Sequence, residues 1–338
     1  MKPWLVDVPV RVQVWIRPEC QKAQFEVIKK ARPSILFLIS DGGRNEKEWE
    51  AIKANRALLD EGIDWDCTVY RLYEDHNNGL YTMSRESSEL IWSKVDRCIF
   101  LEDDYIPSVS YFGFCAELLE KYKDDERIEA ICGMNHCGVW EDASADYFFS
   151  PVGSIWGQAF WKRTYESRDP EHTYGADPYV MKLLDRHTKN EKSFNAAFKG
   201  YAKNKMYENH IAGGEFHHRF AIHGQHKLYI IPKYNMICNI GCTSNSAHAS
   251  EYKLLPRGIR QVFNMKTYEY DLPLKHMNYV IPDEEYEKKR NRIMGIGHPL
   301  VRKWRKFEGI FLSLKHKGLK GLFSKINKHF KRKKTIEN

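Results

Sequence analysis

Three consecutive acidic residues follow a short apolar run in the first third of the chain. Glu102, Asp103 and Asp104 come directly after the run CIFL at 98–101. Crowded carboxylates raise one another's pKa unless a cation neutralises them. Oxygen-only ligands favour Mg²⁺ or Mn²⁺, which complete their coordination with water and nucleotide phosphates. The triplet therefore indicates a metal and nucleotide site. The alternatives are an acidic turn in solvent and a charge cluster before the helix expected from about Ser108.

The elements that must position these acids read as alternating strands and helices. Runs typical of strands occur at 10–17, 34–40, 67–73, 97–104 and 128–134. Helical patterns separate them: one begins at about Cys20, one has Asn45 as a cap and Gly62 as a stop, and one covers about 80–94. This alternation predicts βαβ units and a Rossmann-like α/β sheet. Ligands gather at the carboxyl ends of such strands, where Asp41 follows one run and the acidic triplet follows another.

Three separated segments carry a resemblance to a known family. They are FLEDDYIPSVSYFGFCAELLEKYKDDERI at 100–128, IWGQAFWKR at 155–163 and IPKYNMICNIGCTSNSAH at 231–248. In this order they resemble the GT-A glycosyltransferases, in the Glu-Asp-Asp form found in the N-acetylglucosaminyltransferase I type and in a bacterial family of polysaccharide loci. The resemblance covers about residues 10–250. It implies a GT-A fold, which is an α/β mixed sheet flanked by helices.

The resemblance implies a role for each acid at the two strand ends. Glu102 and Asp103 would face the nucleoside, and Asp104 would ligate the Mn²⁺ or Mg²⁺ that bridges the diphosphate. A bridging cation neutralises the leaving group as the sugar bond breaks. Asp41 in SDGG matches a position that contacts the base or ribose, and the glycines after it allow close backbone approach. The alternative for Asp41 is an ordinary turn residue.

Two further segments are expected beside the nucleotide-sugar donor. Asn78 and Gly79 in HNNGL resemble another turn on the nucleotide side, with an ordinary turn as the alternative. Trp156 and Gly157 in IWGQAFWKR would pass close to the sugar, because aromatic faces stack on sugar rings and a glycine leaves room. The alternative is that Trp156 and Trp161 both belong to the core, the commoner fate of tryptophan.

An inverting sugar transfer needs a general base that takes the proton from the acceptor hydroxyl. Glu215 in AGGEFHHRF is the candidate, although the resembling family usually has an acid flanked by aromatic residues, often Asp after Trp. Glu208 in MYENH is the competing acid, and a surface acid in a salt bridge is the alternative for Glu215. The resembling family also ends its catalytic domain with a histidine, which implies His248 in SNSAHAS as a second metal ligand.

The cysteines and the remaining histidines do not favour a zinc site. The eight cysteines are scattered, with no CxxC pair, which predicts neither a disulfide framework nor a zinc site built on cysteine. A cluster of histidines suits zinc in type but matches no standard spacing. Its members are His217, His218, His223 and His226.

The positive charge belongs to the C-terminal tail. Thirteen Lys and Arg against Glu308 give residues 301–334 a charge of +12, which leaves −4 of the total +8 for the rest of the chain. A body without excess basic residues argues against nucleic acid as a partner. Apolar residues at 311, 314, 319, 322, 323, 326 and 330 follow helical spacing. This predicts a basic amphipathic helix on an anionic membrane, with a helix packed on the catalytic domain or a disordered tail as alternatives.

These features together predict a metal-dependent glycosyltransferase. It would move a sugar from a nucleotide-sugar donor, first of all a UDP-sugar, to a glycan or lipid-linked glycan in surface polysaccharide synthesis. Residues 1–300 would form the catalytic domain, with a nucleotide-binding half to about 130 and an acceptor half after it, and residues 301–338 a membrane-associating tail. Without an 18-residue apolar run or a signal-peptide pattern, we expect a cytoplasmic protein attached peripherally to the inner face of the cell membrane.

Two other classes of protein share some of these features. A sugar-phosphate nucleotidyltransferase would have the same α/β sheet and metal acids, but VQVWIRPECQK after the first strand contains no glycine-rich loop. An inactive membrane-associated scaffold could keep the fold without the activity.

Overall fold

The computed structural model describes residues 1–203, 212–242 and 252–337, with side chains described as far as Gly318. The strands within these residues are β1 (Val6–Val14), β2 (Pro33–Ser40), β3 (Thr68–Tyr73), β4 (Arg97–Leu101), β5 (Tyr105–Pro107), β6 (Ile128–Cys132), β7 (Tyr147–Ser150), β8 (Gln158–Trp161), β9 (Leu228–Pro232) and β10 (Ile237–Asn239). The helices are α1 (Pro18–Ala31), α2 (Glu46–Gly62), α3 (Leu80–Lys94), α4 (Ser110–Lys121), α5 (Lys162–Glu166), α6 (Pro178–His187), α7 (Lys192–Ala202), α8 (Gly214–Gly224), α9 (Arg257–Arg260), α10 (Glu284–Met294) and α11 (Pro299–Glu337).

The chain divides into two compact units. The first consists of the described residues within Met1–Glu171, His210–Ile240 and Asn264–Glu287. The second consists of those within His172–Asn209, Gly241–Phe263 and Lys288–Asn338. All the strands given above belong to the first unit, so the sheet is formed by one unit alone. The division into catalytic halves near residue 130 and a tail from 301 stays a prediction.

A mixed eight-stranded sheet forms the centre of the first unit. Its strand order is β3-β2-β1-β4-β8-β6-β9-β7. Strands β3, β2, β1 and β4 are parallel, and β8 is antiparallel to both β4 and β6. Strand β6 is parallel to β9, and β7 is antiparallel to β9. The predicted Rossmann-like α/β fold with a mixed sheet flanked by helices is confirmed.

The strand order reverses at β1. The chain passes from β1 to β2 and β3 on one side, and then returns to place β4 on the other side of β1. Where the order of parallel strands reverses, the connections leave in opposite directions and open a crevice at the carboxyl ends, which is where ligands bind in open α/β sheets. In this sheet the crevice lies between the ends of β1 and β4.

Hydrophobic burial explains why β1 occupies the centre of the parallel half. Val8, Val10, Val12 and Val14 are fully buried, and the polar residues between them are nearly so. A strand covered on both faces has no solvent-facing side, so the alternation between apolar and polar residues places buried polar groups inside the sheet. Arg11 is one of these groups and must find a partner for its charge.

Several element boundaries follow from local sequence signals. The predicted helix at about 80–94 is α3, and the predicted helix that begins after Asn45 is α2. The side chain of Asn45 accepts a 3.1 Å hydrogen bond from the backbone N–H of Glu48, as an N-cap residue does. Strand β4 ends at Leu101, three residues before the run 97–104 ends, because the acidic residues form a turn.

The second unit contains α6, α7, α9, α11 and part of α10. Asp177 caps α6 by accepting hydrogen bonds from the backbone N–H groups of Tyr179 and Val180, at 2.8 and 3.2 Å. Helix α11 is interrupted at Gly318, where φ of 61° and ψ of −167° are not helical. Among residues 1–203, 212–242 and 252–337, no helix combines the length and low polarity that crossing a bilayer requires.

Candidate functional site

The acidic turn lies at the carboxyl end of β4, beside the crevice where the strand order reverses. Its backbone is closed by a 3.1 Å hydrogen bond from the N–H of Tyr105 to the carbonyl of Glu102. The buried side chain of Gln24, on α1, donates to the carbonyl oxygens of Glu102 and Tyr105 at 2.5 and 2.8 Å. A side chain fixed inside the fold therefore holds the turn, which gives its three carboxylates defined positions.

Arg17 binds two of the three carboxylates. Its guanidinium donates through Nε to Oδ2 of Asp103 at 2.8 Å and through Nη2 to Oδ1 of the same residue, which makes a bidentate pair. Its Nη1 donates to Oδ2 of Asp104 at 2.8 Å. Arg17 lies three residues after the end of β1 and directly precedes Pro18, the first residue of α1. The two strand ends that flank the crevice are therefore joined by this ion pair.

Glu102 has a different partner and a different exposure. Its Oε1 accepts a 2.8 Å hydrogen bond from Nη1 of Arg11, a buried residue within β1. The side chain of Glu102 is 40% exposed, whereas those of Asp103 and Asp104 are 4% and 13% exposed. Glu102 is thus the acid of the turn that solvent or a ligand reaches most readily.

Burial shapes the protonation of the turn. Burial raises the pKa of Asp103 to about 6, with the hydrogen bond and charge of Arg17 opposing the rise and the charges of Asp104 and Glu102 adding to it. Burial also raises the pKa of Asp104, and Arg17 again opposes the rise. Three carboxylates face two guanidinium groups, so the cluster carries a net charge of −1 when all five are ionised. A further cation would be attracted to it.

The predicted nucleotide-side residues Asp41, Asn78 and Gly79 are in direct contact. Asp41 follows β2 and is buried, and its Oδ1 accepts from the backbone N–H groups of Gly42 and Asn78 at 2.9 and 2.8 Å. Its Oδ2 accepts from the side-chain amide of Asn77 at 3.0 Å and from the N–H of Gly79 at 2.9 Å. The carboxylate therefore ties the end of β2 to the loop that precedes α3.

Gly42 fits the same junction for a steric reason. A Cβ on this residue would lie 2.4 to 2.6 Å from backbone atoms of His76, closer than real contacts allow. The backbone N–H of Gly42 donates to the carbonyl of His76 at 3.1 Å. The close approach at Gly42 joins two loops of the protein, and the approach of a nucleotide to the SDGG glycines stays a prediction.

Trp156 and Gly157 lie at the same edge of the sheet as the acidic turn. Phe100 of β4 pairs with Gln158 of β8, so the residues before β8 stand opposite the residues after β4. The rings of Trp156 and Tyr105 have centroids 6.4 Å apart. Trp161, in contrast, is core, since it is 3% exposed and donates to the carbonyl of Leu119 at 2.9 Å.

Gly157 is required by its backbone and by its neighbours. Its φ of +65° belongs to the left-handed region, and a Cβ would lie 2.6 Å from Cδ1 of Ile237. Ile237 begins β10, which pairs with β5 and places Asn239 opposite Tyr105. The N–H of Ile240 donates to the carbonyl of Asp104 at 3.1 Å. Part of the third resembling segment thus lies directly against the acidic turn.

The structure describes fewer contacts for the remaining predicted residues. Glu215 is exposed in the first turn of α8, where an acid is favoured by the helix dipole. A Cβ on Gly213, just before α8, would lie 3.6 Å from Cε1 of Tyr81, in the first turn of α3. Glu208 and His248 lie outside the described residues.

His218 of the histidine cluster has an acidic partner. Its Nδ1 lies 2.8 Å from Oε1 of Glu129, and both side chains are almost fully buried. Burial lowers the pKa of His218, while the hydrogen bond to Glu129 opposes that change. Since Glu129 belongs to β6 and His218 to α8, the pair joins this helix to the sheet.

The oxygens of the turn suit a divalent-cation site that a ligand completes. Among the described residues, no three or more His, Cys, Asp and Glu side chains are arranged to hold a metal ion. Arg17 binds both carboxylate oxygens of Asp103 and one of Asp104. Mg²⁺ and Mn²⁺ are commonly bound by one or two carboxylates, with waters and substrate phosphates as the other ligands. Asp104 fits such a shared site.

Arg11, Arg17 and Gln24 were not among the residues that the motifs indicated. For Arg17 a signal exists in the sequence, because a cation shortly after a central strand and directly before a helix-starting proline lies at the ligand edge of the sheet. Arg11 and Gln24 carry no comparable signal. Their contacts with the turn depend on how β1 and α1 pack beside β4, and the contacting residues are about 80 to 90 positions apart in the chain.

Comparison with known proteins gives little further information. No protein-family model matches the sequence, and no curated protein matches it either. Among solved structures, the chain is similar to the mannosyltransferase PcManGT from Pyrobaculum calidifontis in complex with GDP-Man and Mn²⁺. The alignment covers 65% of this chain and 73% of that chain, at 12% identity and a TM-score of 0.36. A likeness this distant assigns neither a family nor an activity.

Proposed function

We propose that this chain is a metal-dependent glycosyltransferase that uses a nucleotide-sugar donor. One observation carries the proposal: the acidic turn, Arg17, the loop held by Asp41, and Trp156 all lie at the carboxyl edge of one sheet. The reversal of strand order at β1 favours a ligand at this edge. The order of the three resembling segments supports a sugar nucleotide as that ligand. A UDP-sugar is the first donor to test.

The residues at this edge would divide the donor between them. The loop at 76–79 and the exposed Glu102 would contact the nucleoside, and Trp156 would offer a ring face to the sugar. Asp104 would hold Mn²⁺ or Mg²⁺, which supplies charge neutralisation for the diphosphate when bound. Arg17 would keep Asp103 ionised and buried, and its positive charge would add to the attraction for phosphate.

Glu215 is the proposed general base of an inverting transfer. Its carboxylate would accept the proton of the acceptor hydroxyl as that oxygen attacks the anomeric carbon. Support comes from its exposure at the start of α8, next to the first turn of α3. The acceptor would be a glycan or a lipid-linked glycan of a surface polysaccharide, and the protein would act at the inner face of the cell membrane.

In the first experiment the pure protein is incubated with UDP-, GDP- or dTDP-sugars and Mn²⁺, and nucleotide release and melting temperature are measured. Release of a nucleoside diphosphate, together with a rise in melting temperature for one nucleotide series, is the expected result. Formation of pyrophosphate from a nucleoside triphosphate and a sugar phosphate would instead favour the nucleotidyltransferase. No product and no thermal shift with any nucleotide would favour the inactive scaffold.

Substitution Asp104→Asn tests the proposed metal ligand. We expect metal-dependent turnover to fall by about a hundredfold or more, because several kcal/mol of charge stabilisation depend on the cation. The melting temperature without metal should change little, since the amide keeps the shape of the carboxylate. Asp124→Asn, an exposed acid after α4, is the matched control and should have normal turnover. Near-normal turnover by the Asp104 variant would refute this metal site.

Substitution Glu215→Gln tests the proposed base. Turnover should fall by about two to four orders of magnitude, the usual range for loss of a general base, while donor affinity stays unchanged. Glu208→Gln is the comparison, because Glu208 is the competing acid. If the Glu208 variant loses turnover and the Glu215 variant does not, the base has been assigned to the wrong residue. If both variants are active, the mechanism uses another base or retains configuration.

A further inference from the structure

Helix α11 presents a continuous apolar stripe to solvent before its interruption at Gly318. Five large apolar side chains repeat at intervals of four and three residues, so they share one face of the helix. They are Leu300, Trp304, Phe307, Phe311 and Leu314, with exposed fractions of 77%, 70%, 69%, 62% and 43%. Single exposed apolar side chains are common on protein surfaces, but a contiguous exposed stripe usually marks an interaction surface. Three of the five are outside the apolar pattern seen in the sequence of the tail.

The described contacts of α11 within the second unit come from residues outside the stripe, and several of them are polar. Arg305 donates through Nη2 to the carbonyl of Ile293 at 2.5 Å. Glu308 accepts from the backbone N–H of Arg257 at 2.9 Å. Ser313 is buried on the face away from the stripe. Val301 and Leu312 are half-buried, but the most apolar face of the helix is the exposed one, whereas an ordinary surface helix turns its apolar face inward.

Basic residues border the apolar stripe. Residues 299–318 contain six Lys and Arg against the single acid Glu308. At 3.6 residues per turn, Lys303 and Lys306 lie on one side of the stripe and Lys315 on the other. All three side chains are exposed. An apolar face bordered mainly by basic residues is the pattern of a helix that lies in the interface of a membrane.

We propose that the stripe from Leu300 to Leu314 binds the surface of an anionic membrane, with Trp304 and Phe307 inserted between the lipids. Charge complementarity selects this occupant. Negative lipid headgroups would meet the lysines along the stripe, whereas a second copy of the helix would bring lysines against lysines. Tryptophan also suits the boundary between headgroups and acyl chains. The proposal depends only on α11 and is independent of the proposed enzymatic activity.

The test measures binding of the full chain to vesicles by co-sedimentation. Vesicles of phosphatidylcholine with phosphatidylglycerol are compared with vesicles of phosphatidylcholine alone. The double variant Trp304→Ser, Phe307→Ser should bind the anionic vesicles at least about tenfold more weakly, since two aromatic anchors are lost. Lys303→Gln should weaken binding about fivefold, and added salt should weaken the wild-type protein further.

The matched control places the same substitutions on another exposed apolar pair. Tyr279→Ser, Ile281→Ser changes side chains that are 73% and 65% exposed in the first unit, and it should leave vesicle binding unchanged. Equal binding by the wild-type chain and the Trp304 and Phe307 double variant would overturn the proposal. So would a dimer in sedimentation equilibrium that this double variant dissociates, because the stripe would then be a contact between copies. Melting curves of all variants show whether each remains folded.

Discussion

Arg17 changes the chemistry of the acidic turn. Three free carboxylates would depend on a bound metal for charge compensation, but the guanidinium already neutralises much of the charge of Asp103 and Asp104. Asp103 then has a structural role, because both of its carboxylate oxygens accept hydrogen bonds from Arg17. Within the described residues, Asp104 and Glu102 each have one oxygen in such a pair, which leaves them the acids of the turn better suited to a ligand.

Asp41 has a role that the sequence motif does not show. The motif predicts contact with the base or ribose, whereas the carboxylate of Asp41 accepts four hydrogen bonds from Gly42, Asn77, Asn78 and Gly79. Its two oxygens accept at most about four hydrogen bonds, so its capacity is used within the protein. If a nucleotide binds here, Asp41 would act on it through the shape of the loop.

Substitution Asp41→Asn should lower both stability and nucleotide binding. One carboxylate oxygen would become an amide nitrogen that faces N–H donors. At least one loop N–H would then lose its acceptor, and the new amide group would be a buried donor without one. The expected loss in the free energy of unfolding is about 1–3 kcal/mol, with nucleotide affinity falling in parallel as the loop loses its shape. Urea unfolding and nucleotide titration measure the two effects. Normal stability with lost nucleotide binding would instead support a direct contact between Asp41 and the nucleoside.

At the residue scale, the sequence was informative where chemistry depends on neighbours in the chain. The triplet at 102–104 could be predicted because its acids are adjacent and follow an apolar strand. The pairing of Arg11 and Arg17 with these acids could not be, because an ion pair between distant segments of the chain has no characteristic spacing. The arrangement of side chains across β1 and β4 decides it.

At the scale of elements, local signals predicted the parallel half of the sheet well. Caps, periodicity and β-branched runs indicated α2, α3, β2 and β4 close to their observed positions. The insertion of the antiparallel strand β8 between β4 and β6 could not be predicted, because strand pairing between distant segments leaves no local pattern. The same reason applies to β10, which pairs with β5 across about 130 residues of chain.

Helix α8 should become less stable in mild acid through His223. Burial lowers the pKa of His223 to about 4, with the charge of Arg219 adding to the effect and that of Glu287 opposing it. An unfolded histidine has a pKa of about 6.5, so the unfolded chain takes up the proton first. The contribution of His223 to stability is therefore present above pH 6.5 and is lost as the pH falls toward 4.

Substitution His223→Gln isolates this contribution. Urea unfolding at pH 7 and at pH 4.5 measures how much unfolding free energy each protein loses between the two pH values. That loss should be smaller in the variant than in the wild-type chain, because the variant has no imidazole to protonate. His298→Gln, at a histidine outside α8, is the control substitution. An equal loss in the His223 variant and the wild type would show that other groups govern the acid response.

At the scale of the whole molecule, charge is distributed very unevenly. The chain outside residues 301–334 carries a net charge of −4, and the segment itself carries +12. Part of this basic segment is a structural component of the second unit, since Arg305 and Glu308 contact Ile293 and Arg257. Residues 319–334 contain seven further Lys and Arg, beyond the interruption at Gly318. The two parts should therefore respond differently to truncation.

Deletion of residues 319–338 should leave the melting temperature and donor hydrolysis unchanged while weakening binding to anionic vesicles. Each lysine near a membrane surface contributes about 1 kcal/mol, so removal of these residues should cost at least tenfold in affinity and reduce its salt dependence.

Deletion from residue 301 should instead lower the melting temperature by several degrees, because it also removes Arg305 and Glu308 and exposes the surface they cover. Co-sedimentation beside melting curves of both truncated proteins measures these effects. A stable protein after the longer deletion would show that α11 is dispensable for the fold of the second unit, and unchanged vesicle binding after the shorter one would show that the apolar stripe suffices without the distal charge.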